Sequence, residues 1–171
     1  MRSLFLTFIL GLTLIVNSAK AQDTLKIKQT AQLMLNAFTR QDYNTLMDYT
    51  YPKVVNMGGG KEKMKIIVEN AMNDLKAKGF TFRSVTLGPI SKIYKAGTEL
   101  HCVITQYLAL NVKGGYLTSI SPLMCISSDQ GESWKFISAG DLNEEKIKML
   151  FPDYNPQLVL KNDSAPIFHA E

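Results

Sequence analysis

The chain has 171 residues, 46% of them hydrophobic and 20% charged, which is enough for one domain with a proper core. Its formal charge of +4, from 19 Lys and Arg against 15 Asp and Glu, falls to +2 once Arg2 and Lys20 leave with the N-terminal segment. A balance that small supports no polyanion partner. Nucleic-acid binding is disfavoured, and the one lysine cluster, Lys61-Glu62-Lys63-Met64-Lys65, reads as the solvated start of a helix.

At the N-terminus, Arg2 supplies a positive start, Leu4 to Val16 is an apolar run, and Ala19-Lys20-Ala21 is an A-x-A cleavage signature before Gln22. Residues 1–21 therefore read as a signal peptide, and the protein as exported to a periplasm or the extracellular space. The apolar run is shorter than the roughly 20 residues a spanning helix needs, and no second run follows, so no integral membrane association is expected. Gln22 stands where a bacterial lipoprotein would carry Cys.

Helices come first. Thr24 or Asp23 can cap a helix carrying Ile27, Ala31, Met34, Leu35 and Phe38 on one stripe. Arg40-Gln41-Asp42 breaks it, and Asp42 can cap a shorter helix bearing Leu46 and Met47, closed by Pro52. Gly58-Gly59-Gly60 reads as a loop. From Lys61 a third helix places Met64, Ile67, Val68, Ala71, Met72 and Leu75 on one face before Gly79 stops it.

From Phe80 the period changes to two, through Phe80, Phe82, Val85 and Leu87 to a break at Gly88-Pro89. Strands Ser91–Tyr94, Glu99–Leu110, Tyr116–Ser127 and Ser133–Ala139 follow, separated by turns at Lys95-Ala96-Gly97, Lys113-Gly114-Gly115 and Asp129-Gln130-Gly131. A tight turn centred on Lys113-Gly114 sets Ile104 opposite Leu123, Leu110 opposite Leu117, and Cys102 opposite Cys125. A Cys102–Cys125 disulfide and two reduced cysteines packed as small hydrophobes both stay open. The spacing lacks the pattern of a zinc site, and no metal or cofactor is expected. Glu144 to Phe151 reads as a last short helix ended by Pro152, and residues 152–171 as an extended tail. Within that tail Asn162-Asp163-Ser164 matches a glycosylation sequon, an acceptor only in a host with the machinery. Helices followed by strands make an α+β domain over residues 22–151, with N-terminal helices packed on a curved antiparallel sheet.

This order of a long helix, a short helix, a helix ending in Gly and an antiparallel sheet resembles the nuclear transport factor 2-like cone fold. Ketosteroid isomerase and the polyketide-cyclase-like proteins share that fold. Ala37-Phe38-Thr39-Arg40-Gln41-Asp42-Tyr43-Asn44-Thr45-Leu46 looks like the family's sequence where the first helix ends and an acidic residue caps the second. The resemblance implies a conical pocket, used by some members for catalysis and by others for ligand or partner binding. A second resemblance is local. Ser127-Ser128-Asp129-Gln130-Gly131-Glu132-Ser133-Trp134 fits the Asp-box pattern S-x-D-x-G-x-[ST]-W of sialidases, and in one copy it reads as a rigid turn with Trp134 packed beneath the hairpin.

The chemistry-bearing candidates are few. Asp48 with Tyr107 could supply a carboxylate base and an oxyanion donor, and His101 is a lone imidazole on the long strand. Tyr49, Tyr51, Val103, Thr105, Tyr107 and Met124 are the candidate ligand-binding residues. Val103, Thr105 and Tyr107, with Ile120, Pro122 and Met124, form a strand face of pocket-like composition. The preferred reading is an exported single-domain protein that binds a small apolar ligand or a protein partner in or around a conical pocket, without catalysis. The alternative is a small isomerase- or cyclase-type enzyme using a pocket carboxylate and tyrosine. A homodimer is the third arrangement and would leave the convex sheet face apolar and exposed.

Cleavage after Ala21 has a direct measurement. N-terminal sequencing of the protein from its own host should begin at Gln22 or its cyclised form, and an intact Met1 on membrane-bound protein would overturn export with cleavage.

Overall fold

The computed structural model describes residues 23–140 and 142–171; the expected signal peptide lies outside them. Residues 23–39 form helix α1, whose Ile27, Ala31 and Leu35 recur every four residues and are 0 to 1% exposed. At Asp42 the chain restarts as α2 (Tyr43–Tyr49), where the carboxylate accepts the Thr45 backbone N–H at 3.1 Å and its hydroxyl at 2.6 Å. Those two bonds hold the exposed Asp42 carboxyl below its ordinary value, the hydroxyl contributing most.

Pro52 does not only close α2. It opens a further helix, α3 (Pro52–Met57), for which the sequence pattern gives no expectation. The physical reason is that proline suits the first helical position, where its missing N–H costs nothing and its fixed φ is already helical. Helix α4 (Lys61–Ala77) then turns Met64, Val68 and Met72 toward the core, whereas Ile67 is 53% exposed and lies off that stripe. No α4 side chain is fully buried.

Six strands form one antiparallel, curved sheet: β1 (Thr81–Ile90), β2 (Tyr94–Ala96), β3 (Glu99–Val112), β4 (Gly115–Ser127), β5 (Lys135–Ser138) and β6 (Ile167–Ala170). The order is β1-β3-β4-β5, with β2 also on β3 and β6 also on β4. The β3–β4 register runs from Leu100↔Ser127 to Val112↔Gly115 and includes Cys102↔Cys125, Ile104↔Leu123 and Leu110↔Leu117, as the turn position requires. Cys102 and Cys125 face each other as fully buried thiols, and burial, with Cys102 beside it, pushes the Cys125 thiol well up. At Gly88-Pro89 the sheet bends without ending. β1 continues to Ile90 across a register shift between Leu87 and Ile90, the form in which a strand accommodates proline.

Each sheet face packs against other elements over part of its area. On the inner face Cys102, Ile104, Leu123, Cys125, Trp134 and Phe136 pack with α1 and α2. On the outer face Met124 and Ile126 pack with Tyr51, Leu150, Phe151 and Leu158, which brings α5 (Glu144–Leu150) and the C-terminal segment into a second core. The segment read as an extended tail is thus structural. Ser164 exchanges two 2.8 Å hydrogen bonds with the backbone of Ile120, and β6 then extends the same edge of β4.

The Asp-box segment is a closed turn. Asp129 accepts from the Ser133 hydroxyl at 2.6 Å, the Ser133 backbone N–H at 2.8 Å and the Ser127 hydroxyl at 2.8 Å, which together hold its carboxyl at about 2. Trp134 and Phe136 follow on one side of the strand, 2% and 1% exposed, in the inner core. The indole N–H finds no partner among the described residues. Trp134→Ala should therefore cost about 3 to 5 kcal/mol and lower Tm by roughly 10 °C or more. Trp134→Phe also removes the unpaired N–H and should lose less. An alanine variant that melts like the parent would overturn the structural role.

Candidate functional site

The inner face of the β3–β4 hairpin changes character along its length. Near its open end Ile104, Leu123 and the two cysteines fill the space to the helices; midway the same face carries Gln106, Ser119 and Ser121, and Leu110 and Leu117 follow at the turn. Those smaller polar groups leave a chamber of about 490 Å³, roofed by Met34 and Phe38 of α1, Met47 of α2 and Met64 and Val68 of α4. On its floor the Ser121 hydroxyl donates to Gln106 Oε1 at 3.3 Å. Leu108 also lines it.

A smaller chamber of about 270 Å³ lies toward the end of α4, lined by Met72, Leu75, Phe80, Phe82 and Leu110, with Gln41, Asn73 and Lys76 among the exposed polar residues at its edge. Phe38 and Leu108 line both. Phe38 is half-buried and meets Phe82 edge-on, with ring centroids 5.1 Å apart.

Among the described residues lining the larger chamber, Asp163 is the ionisable one, and it belongs to the exposed C-terminal segment. Its carboxylate lies directly on Gly140, where an added Cβ would stand 1.7 Å from Oδ1. Only a residue without a side chain permits that approach.

The residues singled out in the sequence distribute differently. Asp48 is exposed and ion-paired to Lys61 at 2.6 Å, outside the chamber lining. Tyr107 is 42% exposed on the outer face, where it shares an open groove with Thr105, Ile120 and Pro122. The structure does not bring Asp48 and Tyr107 together. The strand face of Val103, Thr105, Tyr107, Ile120, Pro122 and Met124 turns away from the helices, Val103 and Met124 packing into the outer core. Parity is the reason: even-numbered β3 residues and odd-numbered β4 residues point toward the helices, and their neighbours away. Tyr49 is half-buried against the inner core.

Tyr51 and His101 do meet, on the outer face, around a residue the sequence reading passed over. Glu99 Oε1 accepts from the Tyr51 hydroxyl at 2.9 Å and the Ser128 hydroxyl at 3.0 Å, and Oε2 lies 3.0 Å from His101 Nε2. The i, i+2 spacing of Glu99 and His101 on one strand was the available signal. Tyr51 stacks on Phe151, and the His101 ring meets Phe151 edge-on at 5.1 Å. Burial alone would raise the Glu99 carboxyl, but hydrogen bonds from His101, Tyr51 and Ser128 outweigh it and hold it below its ordinary value. Burial, with the Tyr51–Glu99 bond behind it, pushes the Tyr51 phenol up. His101 is 1% exposed, its Nδ1 has no partner among the described residues, and burial holds its pKa below 6.5 against the pull of Glu99. The cluster ties the start of α3, strand β3 and the β4–β5 turn together, and β3 itself separates it from the inner chambers.

Among the described residues no group of three or more His, Cys, Asp or Glu is disposed to hold a metal ion, and no helix is long and apolar enough to cross a membrane. Comparisons with protein-family models, curated proteins and solved structures find no match.

Acid should loosen the outer cluster. A buried imidazole with a depressed pKa binds fewer protons folded than unfolded, so stability falls as pH drops through 6.5 toward the lower folded value; Glu99, also depressed, adds its loss below 4.5. The Tm of the parent should therefore decrease between pH 7 and pH 5, and His101→Gln should flatten that interval. Parallel declines in both proteins would exclude His101 as the titrating group.

Proposed function

We propose that this protein is an exported, non-catalytic binder of a small, largely apolar molecule, held in the chamber between the helices and the inner face of the sheet. The observation that carries the reading is the chamber itself. At about 490 Å³ it falls within the roughly 300 to 1,000 Å³ usual for small-molecule sites, with apolar walls and a few hydroxyl and amide groups on the floor. Segregation of the ionisable groups supports the absence of catalysis. Glu99, His101 and Tyr51 lie across the sheet, and the lining offers no described carboxylate–imidazole or carboxylate–phenol pair to move a proton. Export rests on the sequence of residues 1–21, and the resemblance to the nuclear transport factor 2-like cone fold is supported by helices that precede a curved antiparallel sheet and enclose space against it.

A titration with N-phenyl-1-naphthylamine, a neutral apolar fluorophore, tests the reading. The parent should enhance its emission saturably at one site. Val68→Trp places a large ring into the chamber from α4 and should weaken binding at least about tenfold, with Tm unchanged or raised. No saturable binding by the parent, or equal binding by a folded Val68→Trp variant, would overturn it.

A further inference from the structure

We propose that the two inner chambers form one elongated site for a neutral, unbranched long-chain amphiphile, and that Phe38 sets the chain length it accepts. This rests on the binding role proposed for the larger chamber.

Phe38 and Leu108 line both chambers, so the two spaces meet at side chains, and the half-buried Phe38 ring stands where a chain would pass from one to the other. The smaller chamber, at about 270 Å³, falls just below the usual range for an independent small-molecule site, but it suits the end of a ligand seated in the larger one. The linings are graded to match. Gln106, Ser119 and Ser121 give the larger chamber hydrogen-bonding groups, whereas Phe80, Phe82 and Leu110 give the smaller one an apolar wall whose exposed rim carries Gln41, Asn73 and Lys76. No described Lys, Arg or His lines the larger chamber, and Asp163 does. A hydroxyl, ester or amide head therefore finds hydrogen-bonding partners there, whereas a carboxylate head meets no cation among the described lining residues. Above both chambers α4 presents no fully buried side chain, so the roof can adjust without exposing a closed core.

Displacement of N-phenyl-1-naphthylamine by a series of 1-alkanols from hexanol to tetradecanol, with the matching alkanoates as the anionic comparison, reads both parts. For the parent, Kd should tighten roughly fourfold per added methylene until the larger chamber is filled, then less steeply, because a longer chain must displace the Phe38 ring to enter the smaller one. Phe38→Ala and the milder Phe38→Leu should move that break to longer chains, so that the longest alkanols bind at least about tenfold more tightly than to the parent; Phe38→Trp should move it to shorter chains. Tm confirms that each variant is folded, and Phe38→Leu carries the test if Phe38→Ala does not fold. Alkanoates should bind at least about tenfold more weakly than alkanols of equal length. A break at the same length in every folded variant, or none in the parent, overturns the role of Phe38. Equal binding of alkanoates overturns the neutral head. A parent that binds the fluorophore but releases it to no alkanol excludes the ligand class and leaves the chamber reading standing. A parent that does not bind the fluorophore removes that reading and this one with it.

Discussion

Every face in this protein is assigned by the pairing of β3 with β4. The two-residue turn at Lys113-Gly114, with Gly114 at φ +81°, sets Val112 against Gly115, and from there the pairing runs without a register shift to Leu100↔Ser127. A slip of one residue in either strand would reverse that strand's side chains. On β3 it would carry His101 and Val103 under α1 and put Cys102 and Ile104 against Phe151. Both cores would lose their fit, and Glu99 and His101, turning over together, would part from Tyr51 and Ser128. Fourteen- and thirteen-residue strands hold the register because each core independently requires it.

The inner chambers follow from the same alternation combined with a polar, partly small-residue stretch midway along the hairpin. Where the face carries Ile104, Leu123 and the cysteines, α1 and α2 close onto it; where it carries Gln106, Ser119 and Ser121, α4 spans a gap without burying any residue fully. Rigid packing and unfilled space are thus separated along the hairpin. The elements that would have to move around a bound molecule are those with the least buried apolar area, and opening them costs least. The Asp129 turn and Trp134 stand on the packed side of that division.

The outer face concentrates the polar chemistry. Glu99 has three donors, the Tyr51 phenol shares its ring with Phe151, and His101 is enclosed by aromatic neighbours, so these groups fix geometry among α3, β3 and the β4–β5 turn. The Glu99, His101 and Tyr51 cluster and the apolar chambers lie on opposite sides of β3, the chambers meeting Asp163 and Lys76 only at exposed positions. The proposed binding role follows from that separation, since proton transfer requires both in one place.

Much of this was legible in the sequence. The stripe of Ile27, Ala31 and Leu35, the cap at Asp42, the hairpin register and the Asp-box turn are local patterns whose physics is complete within a few residues or one turn. Helix α3 and strand β6 were not. Pro52 reads equally as a stop and as a start, and β6 exists only because β4 offers an edge to its backbone. The identity of the inner face was also beyond local reasoning. Alternation divides β3 into two faces, each apolar enough to be buried, and nothing within the strand says which one meets the helices. That choice was made by tertiary contact: α1 and α2 settled on Cys102 and Ile104, α5 and the C-terminal segment on Val103 and Met124, and Tyr107 was left outside while Gln106 and Leu108 came to line the space within.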